Sequence, residues 1–296
     1  MSVVAEVIVR PLTLDDVDQA VQIQVAAFAD LAVRVHEPPT VVTEALLERS
    51  RLRHRHFITH DARGSWAATV DGKLIGCGLA LRREGLWGLS LLVVDPAAQS
   101  AGAGRKLLNA TLDYADGCQR GVILASTDAR AIRAYATSGF ALFPQVAASG
   151  KPTLDATPAS VSRVRDGNAA DRALADVIDR GVRGAGRGAD HEVISASGGD
   201  MYVVDDADGR GYAYLRGGEV YLLAATDDDT ATALLWRCFM RGGELGLETH
   251  VDHMTGEQQW AIAACFAARL AVRPDGPVFW RGATPPRAYV PSGAFL

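Results

Sequence analysis

The sequence has few of the features that mark secreted, membrane-bound or metal-binding proteins. Its four cysteines are widely spaced and include no CxxC pair, which argues against a disulfide framework or a cysteine metal site. The longest apolar run, Leu86–Val94, is far too short to cross a bilayer. The N-terminus lacks a basic start followed by an apolar stretch, so no signal peptide is predicted. We therefore expect a cytoplasmic protein with reduced thiols in its core and no membrane partner.

A basic excess is also missing. Residues 1–150 hold 15 Lys+Arg and 15 Asp+Glu, whereas residues 151–296 hold 15 and 20, which accounts for the net charge of −5. This balance argues against nucleic acid as a partner, because such a partner requires a basic face. The acidic second half suits a cationic amine ligand, although an ordinary soluble surface has a similar composition.

The order of predicted elements repeats once along the chain. A strand ending at Arg10, followed by a helix after Asp16, is mirrored by a strand ending at Arg165 and a helix after Asp171. Repeats of this length are whole domains rather than solenoid units. The length of 296 residues also favours two domains.

The repeat continues to the end of each half, where a helix pattern at 130–140 lines up with one at 259–270. We expect domains at 1–148 and 160–296, joined by the Ala-, Ser- and Pro-rich stretch 145–159. Each domain is predicted to be α/β (α+β), with a mixed central sheet flanked by helices.

The first half contains a predicted antiparallel unit in front of a central strand. Ser65–Val70 and residues 74–81 are predicted strands joined by a tight turn, and Leu86–Val94 is apolar on both faces, as a central strand should be. A helix predicted at 43–57 ends in the basic run 51–56. This run is interpreted as cations near a helix C-terminus, with a ligand-facing patch as the alternative.

The sharpest local signal is a glycine turn between the central strand and the next helix. Glycines allow close backbone approach and positive φ, and a helix N-terminus offers unpaired N–H groups and positive partial charge. Together they predict a cradle for a phosphate or pyrophosphate. A turn without ligand is the alternative. The cradle comprises Gln99, Ser100, Ala101, Gly102, Ala103 and Gly104, with Arg105 and Lys106 as cations at its edge.

Two other phosphate-binding motifs do not fit this turn. A dinucleotide fingerprint requires a third glycine where Leu107 stands and places the turn first in its fold. A P-loop requires GxxxxGK[ST], which is absent from the sequence.

The chain resembles the GNAT superfamily of acyl-CoA-dependent N-acyltransferases. The pattern V-x-P-x-x-Q-x-x-G-x-G-R-x-L-L occupies residues 94–108, and A-I-x-x-Y-x-x-x-G-F occupies residues 131–140. The two motifs stand in the right order, about one strand apart, and the resemblance covers about residues 5–145. It implies an acetyl-CoA co-substrate and no metal cofactor.

The resemblance also implies how the co-substrate is held. Its pyrophosphate is expected at the amides of 99–104, and its pantetheine arm beside the strand end at Val93 and Val94, like an added strand. One of these two valines is expected to donate its N–H to the thioester oxygen. Asp128 stands where the family usually has Asn, so it is a cofactor contact or only a helix cap.

Tyr135 matches the family tyrosine that donates a proton to the leaving thiolate, with packing on the core as the alternative. The general base is less defined, because the central strand contains no acid. Glu84, just before that strand, is one candidate. The carboxylate of Leu296 is another, by similarity to relatives of the enhanced-intracellular-survival type, although Phe295 and Leu296 also suit a domain seam.

The second half is predicted to be a degenerate copy. Its equivalent turn, residues 224–231, has no glycine and carries three aspartates, which satisfy a helix N-terminus themselves and repel pyrophosphate. Cys265 replaces Tyr135. His191, His250 and His253 suggest a metal site, with plausible ligands at 250–253, but no third or fourth ligand has suitable local spacing, so none is predicted.

These observations predict an N-acetyltransferase that moves an acetyl group from acetyl-CoA to a primary amine of a small molecule by direct attack. The second domain is expected to wall the acceptor site, and the protein to be a monomer or homodimer. A non-catalytic acyl-CoA sensor or partner-binding module is one alternative, favoured by the missing strand carboxylate. A protein N-acyltransferase, which needs an open acceptor groove, is another.

Overall fold

The computed structural model describes residues 6–38, 40–99 and 102–296. Ser100 and Ala101 of the predicted cradle therefore lie outside the described residues. The elements of the first half are, in chain order, β1 (Ile8–Pro11), α1 (Val17–Val35), α2 (Glu44–His60), β2 (Ser65–Val70), β3 (Lys73–Arg83), β4 (Leu86–Val94), α3 (Ala103–Asp113), β5 (Arg120–Leu124), α4 (Ala129–Thr137) and β6 (Ala141–Gly150).

The second half follows the same order of elements. They are β7 (Arg165–Asp166), α5 (Arg172–Val182), α6 (Asp190–Ala196), β8 (Asp200–Asp205), β9 (Arg210–Arg216), β10 (Glu219–Ala225), α7 (Asp228–Glu244), β11 (Thr249–Thr255), α8 (Gln259–Ala267), β12 (Ala271–Arg281) and β13 (Tyr289–Val290).

The repeat seen in the sequence has a structural counterpart at the start of each half. Arg10 binds Asp16 through two hydrogen bonds of 2.7 and 2.8 Å, and Arg165 binds Asp171 at 2.6 and 3.0 Å. Both carboxylates also accept a backbone N–H three residues earlier, as in a capping box. The same ion pair and backbone cap therefore connect the first strand of each half to its first helix.

One mixed sheet of 13 strands runs through both halves. Its order is β1-β2-β3-β4-β5-β12-β6-β11-β10-β9-β8-β7, with β13 paired to β10. The mixed sheet and flanking helices confirm the predicted fold class, but the sheets of the two halves are continuous. The division at 148 and 160 stays a prediction.

The continuity arises from an exchange of strands between the halves. β12, from the second half, pairs with β5 and β6 of the first half. In turn β6 pairs with β11 of the second half. Residues 145–150, expected within the domain connection, are part of β6. Because backbone hydrogen bonds join the halves on both sides of this pair, neither half completes its sheet alone.

β4 lies at the centre of the first half and is covered on both faces, as its apolar sequence predicted. Trp87 and Leu89 pack on the side of α3, whereas Leu91 and Val93 pack with Phe57 of α2 and with α1. The four cysteines are free thiols, of which Cys77, Cys238 and Cys265 are buried and Cys118 is partly buried. No described helix combines the length and apolar character needed to cross a membrane.

Candidate active site

A cleft of about 1020 Å³ opens where β4 ends and α3 begins. Helices α1 and α4 form its other walls. All described members of the predicted cofactor site line it: Val93, Val94, Gln99, Gly102, Ala103, Gly104, Arg105 and Asp128, together with Tyr135. The structure thus brings two motifs about 30 residues apart into one cleft.

The glycine turn presents an uncapped helix N-terminus to this cleft. Gly102 has φ 80° and ψ 3°, and α3 begins after it without a side-chain cap. The first amides of α3 are therefore available to an anion, and Arg105 adds a positive charge. Lys106 does not line the cleft, and its Nζ donates to the Val7 carbonyl at 2.7 Å. The structure therefore does not place Lys106 at the edge of the cradle.

β4 has a free edge beside the cradle. It pairs with β5 in parallel only as far as Leu89 and Ile123, while its other edge stays paired to β3 up to Val94. The register with β3 shifts around Ser90, where β4 has one extra residue. Among the described residues, positions 90–94 have no ladder partner on the β5 side, so their backbone groups can pair with an extended ligand.

Tyr135 lies in the wall of the cleft and is 7% exposed. Its ring packs edge-on against Phe279 at 5.7 Å between centroids, which fixes its position in α4. Burial raises the pKa of Tyr135, and the charge of Asp128 raises it further, so the phenol keeps its proton at neutral pH. Its hydroxyl has no hydrogen-bond partner among the described residues and can donate into the cleft.

Asp128 caps α4 and also binds arginines from two helices. Its side chain accepts the backbone N–H of Arg130 at 2.9 Å, so the predicted cap is present. It also pairs with the Arg130 guanidinium at 3.0 Å and with Arg34 of α1 at 2.9 Å. Burial favours the neutral acid, but these hydrogen bonds outweigh it and lower the pKa of Asp128 to about 2. A carboxylate thus lies at the cleft, held by two cations.

Several lining residues escaped the sequence analysis. From α1 come Phe28, which is 42% exposed, and Leu31. Arg130 and Arg133 of α4 line the cleft too, and Arg130 donates to the Gln99 side chain at 2.9 Å. The sequence did place Phe28 on the predicted first helix. It could not show that Phe28 lines the cleft, because the exposure of Phe28 depends on how α1 packs.

Glu84 is not brought to the cleft. It lies in the β3–β4 turn with φ 45°, at the opposite end of β4 from the glycine turn, roughly 30 Å away at the rise of a strand. Arg180 pairs with it at 2.8 Å and Gly186 donates its N–H at 3.0 Å. These bonds lower the pKa of Glu84, which makes it a weaker base.

Leu296 is also away from the cleft and is 1% exposed. Its main-chain oxygen accepts hydrogen bonds from Arg183 at 3.1 Å, Tyr289 at 2.7 Å and Arg187 at 2.5 Å. Its side chain packs against Gly88 of β4. The structure favours the alternative of a seam residue, because the side chain is buried away from the cleft and this oxygen already accepts from three donors.

The basic end of α2 is not a solvated C-terminus. Arg51 pairs with three acids, including Asp18 at 2.9 Å. His56 binds Asp190 of α6 at 2.7 Å, and Asp190 also binds Arg83 at 2.6 Å. The run therefore joins the two halves, which neither sequence interpretation anticipated.

The turn of the second half is closed by its own acid. Asp227 accepts the N–H of Thr230 at 2.7 Å at the start of α7, and Cys265 is buried in the core. Both features fit a copy without the cofactor cradle. Among the described residues, no third potential ligand joins His250 and His253.

A group of three potential ligands lies elsewhere in the second half. Asp176, Asp179 and His191 have ligand atoms within 4.8 Å of one another. Arg187 lies 3.2 Å from Asp179, and Tyr212 donates to both oxygens of that carboxylate. A cation and a donor therefore already satisfy the central acid.

Comparison with known proteins agrees with this site. The model of the acetyltransferase (GNAT) family matches residues 29–140, which include both motifs and most residues that line the cleft. No curated protein matches the chain.

Three solved structures share the fold over nearly the whole chain. A proposed acetyltransferase from Pyrococcus horikoshii has a TM-score of 0.73 at 16% identity, covering 97% of this chain and 95% of its own. A GCN5-related N-acetyltransferase from Kribbella flavida has 0.58 at 15%, covering 95% and 72%. A tandem GNAT protein from the clavulanic acid biosynthesis pathway has 0.57 at 14%, covering 94% and 99%.

Residues 29–140 therefore match the acetyltransferase (GNAT) family, and the whole chain shares its fold with solved structures that include a tandem GNAT protein. The family match supports an acyltransferase in the first half.

Proposed function

We propose that the chain transfers an acetyl group from acetyl-CoA to a primary amine of a small molecule, by direct attack of the amine on the thioester. The observation that carries this proposal is the meeting of an uncapped helix N-terminus, a free strand edge and a buried tyrosine in one cleft. Each of these matches a different part of an acyl-CoA: an anion, an extended amide-bearing arm and a leaving sulfur.

The residues divide the work between binding and proton transfer. The amides after Gly102, with Arg105, hold the pyrophosphate, and the β4 edge aligns the arm and donates an N–H to the thioester oxygen. The neutral amine nitrogen forms a bond to the carbonyl carbon as the C–S bond breaks, and Tyr135 donates its proton to the departing sulfur. The surplus proton on the new C–N nitrogen passes to solvent water, and the Tyr135 phenolate takes a proton back from solvent. A phenol that stays neutral at pH 7 suits this role.

The test is release of free thiol from acetyl-CoA across a panel of primary amines. Tyr135→Phe should lower kcat by about 10²–10⁴-fold, while calorimetry finds acetyl-CoA binding unchanged. Glu84→Gln serves as the matched control, because Glu84 lies outside the cleft, and should leave kcat unchanged. Failure of wild type to bind acetyl-CoA would overturn the proposal; binding without turnover on any amine would favour the sensor.

A further inference from the structure

Arg53 of α2 reaches the centre of β4 at Ser90. Its Nε and Nη2 donate to the Ser90 hydroxyl at 3.0 and 2.7 Å, and Nη2 also contacts the Ser90 carbonyl. The Ser90 hydroxyl in turn donates to the carbonyl of Ala294 at 2.6 Å. Three segments distant in sequence thus fix the Arg53 guanidinium against the sheet.

This guanidinium has no carboxylate partner among the described residues. Arg83, which is partly buried like Arg53, faces Asp190, and Arg187, which is fully buried, faces Asp179. Their charges are compensated, and the pKa of each is raised. For Arg53, burial lowers the pKa to about 10. Holding a partly buried cation without a counter-ion is unfavourable, and Nη1 of Arg53 has no hydrogen-bond partner in the described part of the chain.

The position of Arg53 relates it to the reaction. Ser90 is the extra residue of β4, and the free edge of the strand begins there. In the proposed function, that edge carries the acyl arm of the donor. A ligand anion on Nη1 would therefore lie next to the strand segment that aligns the thioester.

An opening of about 550 Å³ lies between α2 and the second half. Its lining carries both signs of charge, with Arg49, Arg216, Glu219 and Asp252, and Arg216 is paired with Glu219 at 2.8 Å. Arg49 is one turn before Arg53 on α2. Arg216 lies over the Tyr221 ring at 3.7 Å, and Tyr221 and Arg216 both act electrostatically on Arg53.

We propose that the acceptor is an amine that also bears a carboxylate, and that Arg53 binds this carboxylate through Nη1. The inference rests on the proposed function and narrows its substrate class to amino-acid-like molecules. The charges that remain in the opening suit such a zwitterion, because Asp252 attracts its ammonium group while Arg49 attracts its carboxylate.

The kinetic test compares acceptors that differ only in the carboxylate. L-phenylalanine, L-lysine and L-glutamate are assayed beside their α-carboxamides, with wild type, Arg53→Gln and Arg55→Gln. Arg55 is the matched control, because it is exposed on the same helix. Wild type should prefer the acids. Arg53→Gln should raise their KM by about tenfold or more, as expected for a lost charged hydrogen bond, with the KM for acetyl-CoA unchanged.

A binding measurement tests carboxylate recognition by Arg53 without catalytic turnover. The CoA-saturated protein is titrated with the N-acetylated acids and with their amides in a calorimeter. Binding of the acids alone, lost in Arg53→Gln but kept in Arg55→Gln, supports the proposal. If CoA binds but the acids and amides bind alike or not at all, the inference fails and the proposed function survives. If CoA does not bind, both the proposed function and this inference are contradicted. Thermal unfolding shows whether each variant is folded.

Discussion

Arg34 donates from Nη1 to Asp128 at 2.9 Å and so joins α1 to the first turn of α4 at the cofactor cleft. Asp128 holds Arg130 as well, so two arginines near the glycine turn share this acid, and Arg34 also pairs with Asp30 at 2.8 Å. A phosphate entering the cleft competes with that acid for the same arginines. Asp128, at the position where the family usually has Asn, should therefore affect the affinity for the phosphates of acetyl-CoA.

Asp128→Asn should tighten acetyl-CoA binding by about three- to tenfold, because the amide still caps α4 but no longer repels phosphates or holds both arginines as ion pairs. Calorimetry with acetyl-CoA measures the effect. Asp128→Ala, which also removes the cap, should lower stability by about 1 kcal/mol. Weaker binding by the Asn variant would show that Asp128 positions the arginines instead.

Gly102 and Gly104 should respond differently to alanine. Gly102 has φ 80° with nothing within 4 Å of an added Cβ, so Gly102→Ala costs about 1 kcal/mol of backbone strain. Gly104 has no positive φ and lies inside α3, where an added Cβ would be 3.8 Å from the Val94 side chain. Gly104→Ala should therefore keep or raise stability while it weakens acetyl-CoA binding by crowding the cradle. Urea unfolding and calorimetry on both variants separate the two roles. Equal binding losses at equal stability would contradict this division.

Asp190 joins the two halves, and its ionisation should make the stability of the protein depend on pH. Burial favours its neutral form, but hydrogen bonds from His56 and Arg83 prevail and lower its pKa to about 2, below the unfolded value of about 3.9. Its stabilising effect is therefore complete above pH 4 and is lost as the pH falls toward 2. Asp190→Asn should destabilise by about 3 kcal/mol at pH 7.

The difference in the free energy of unfolding between wild type and Asp190→Asn should become smaller as the pH falls from 4 to 2. Urea unfolding at each pH measures this difference. Asp113→Asn is the control, because Asp113 is exposed at the end of α3, and it should change little at any pH. A gap that stays constant with pH would mean that the variant acts through packing alone.

The sequence by itself determined the local chemistry of this protein. The Arg10–Asp16 ion pair recurs as Arg165–Asp171 because strand-to-helix turns of this kind are closed by residues that lie close together in sequence. The strand Leu86–Val94 and the cradle at Gly102 followed from apolar patterning and glycine spacing. Such features depend on neighbours along the chain, so a pattern suffices to predict them.

Tertiary structure alone decided how the halves meet. The exchange of β6 and β12, the contact of Arg53 with Ser90 and the capture of Leu296 by Arg183 join segments that lie far apart in sequence. Glu84 was a plausible base in the sequence, yet the turn that holds it faces Arg180. Which edges pair, and which charges meet across them, depends on the packing of whole elements, for which no short pattern exists.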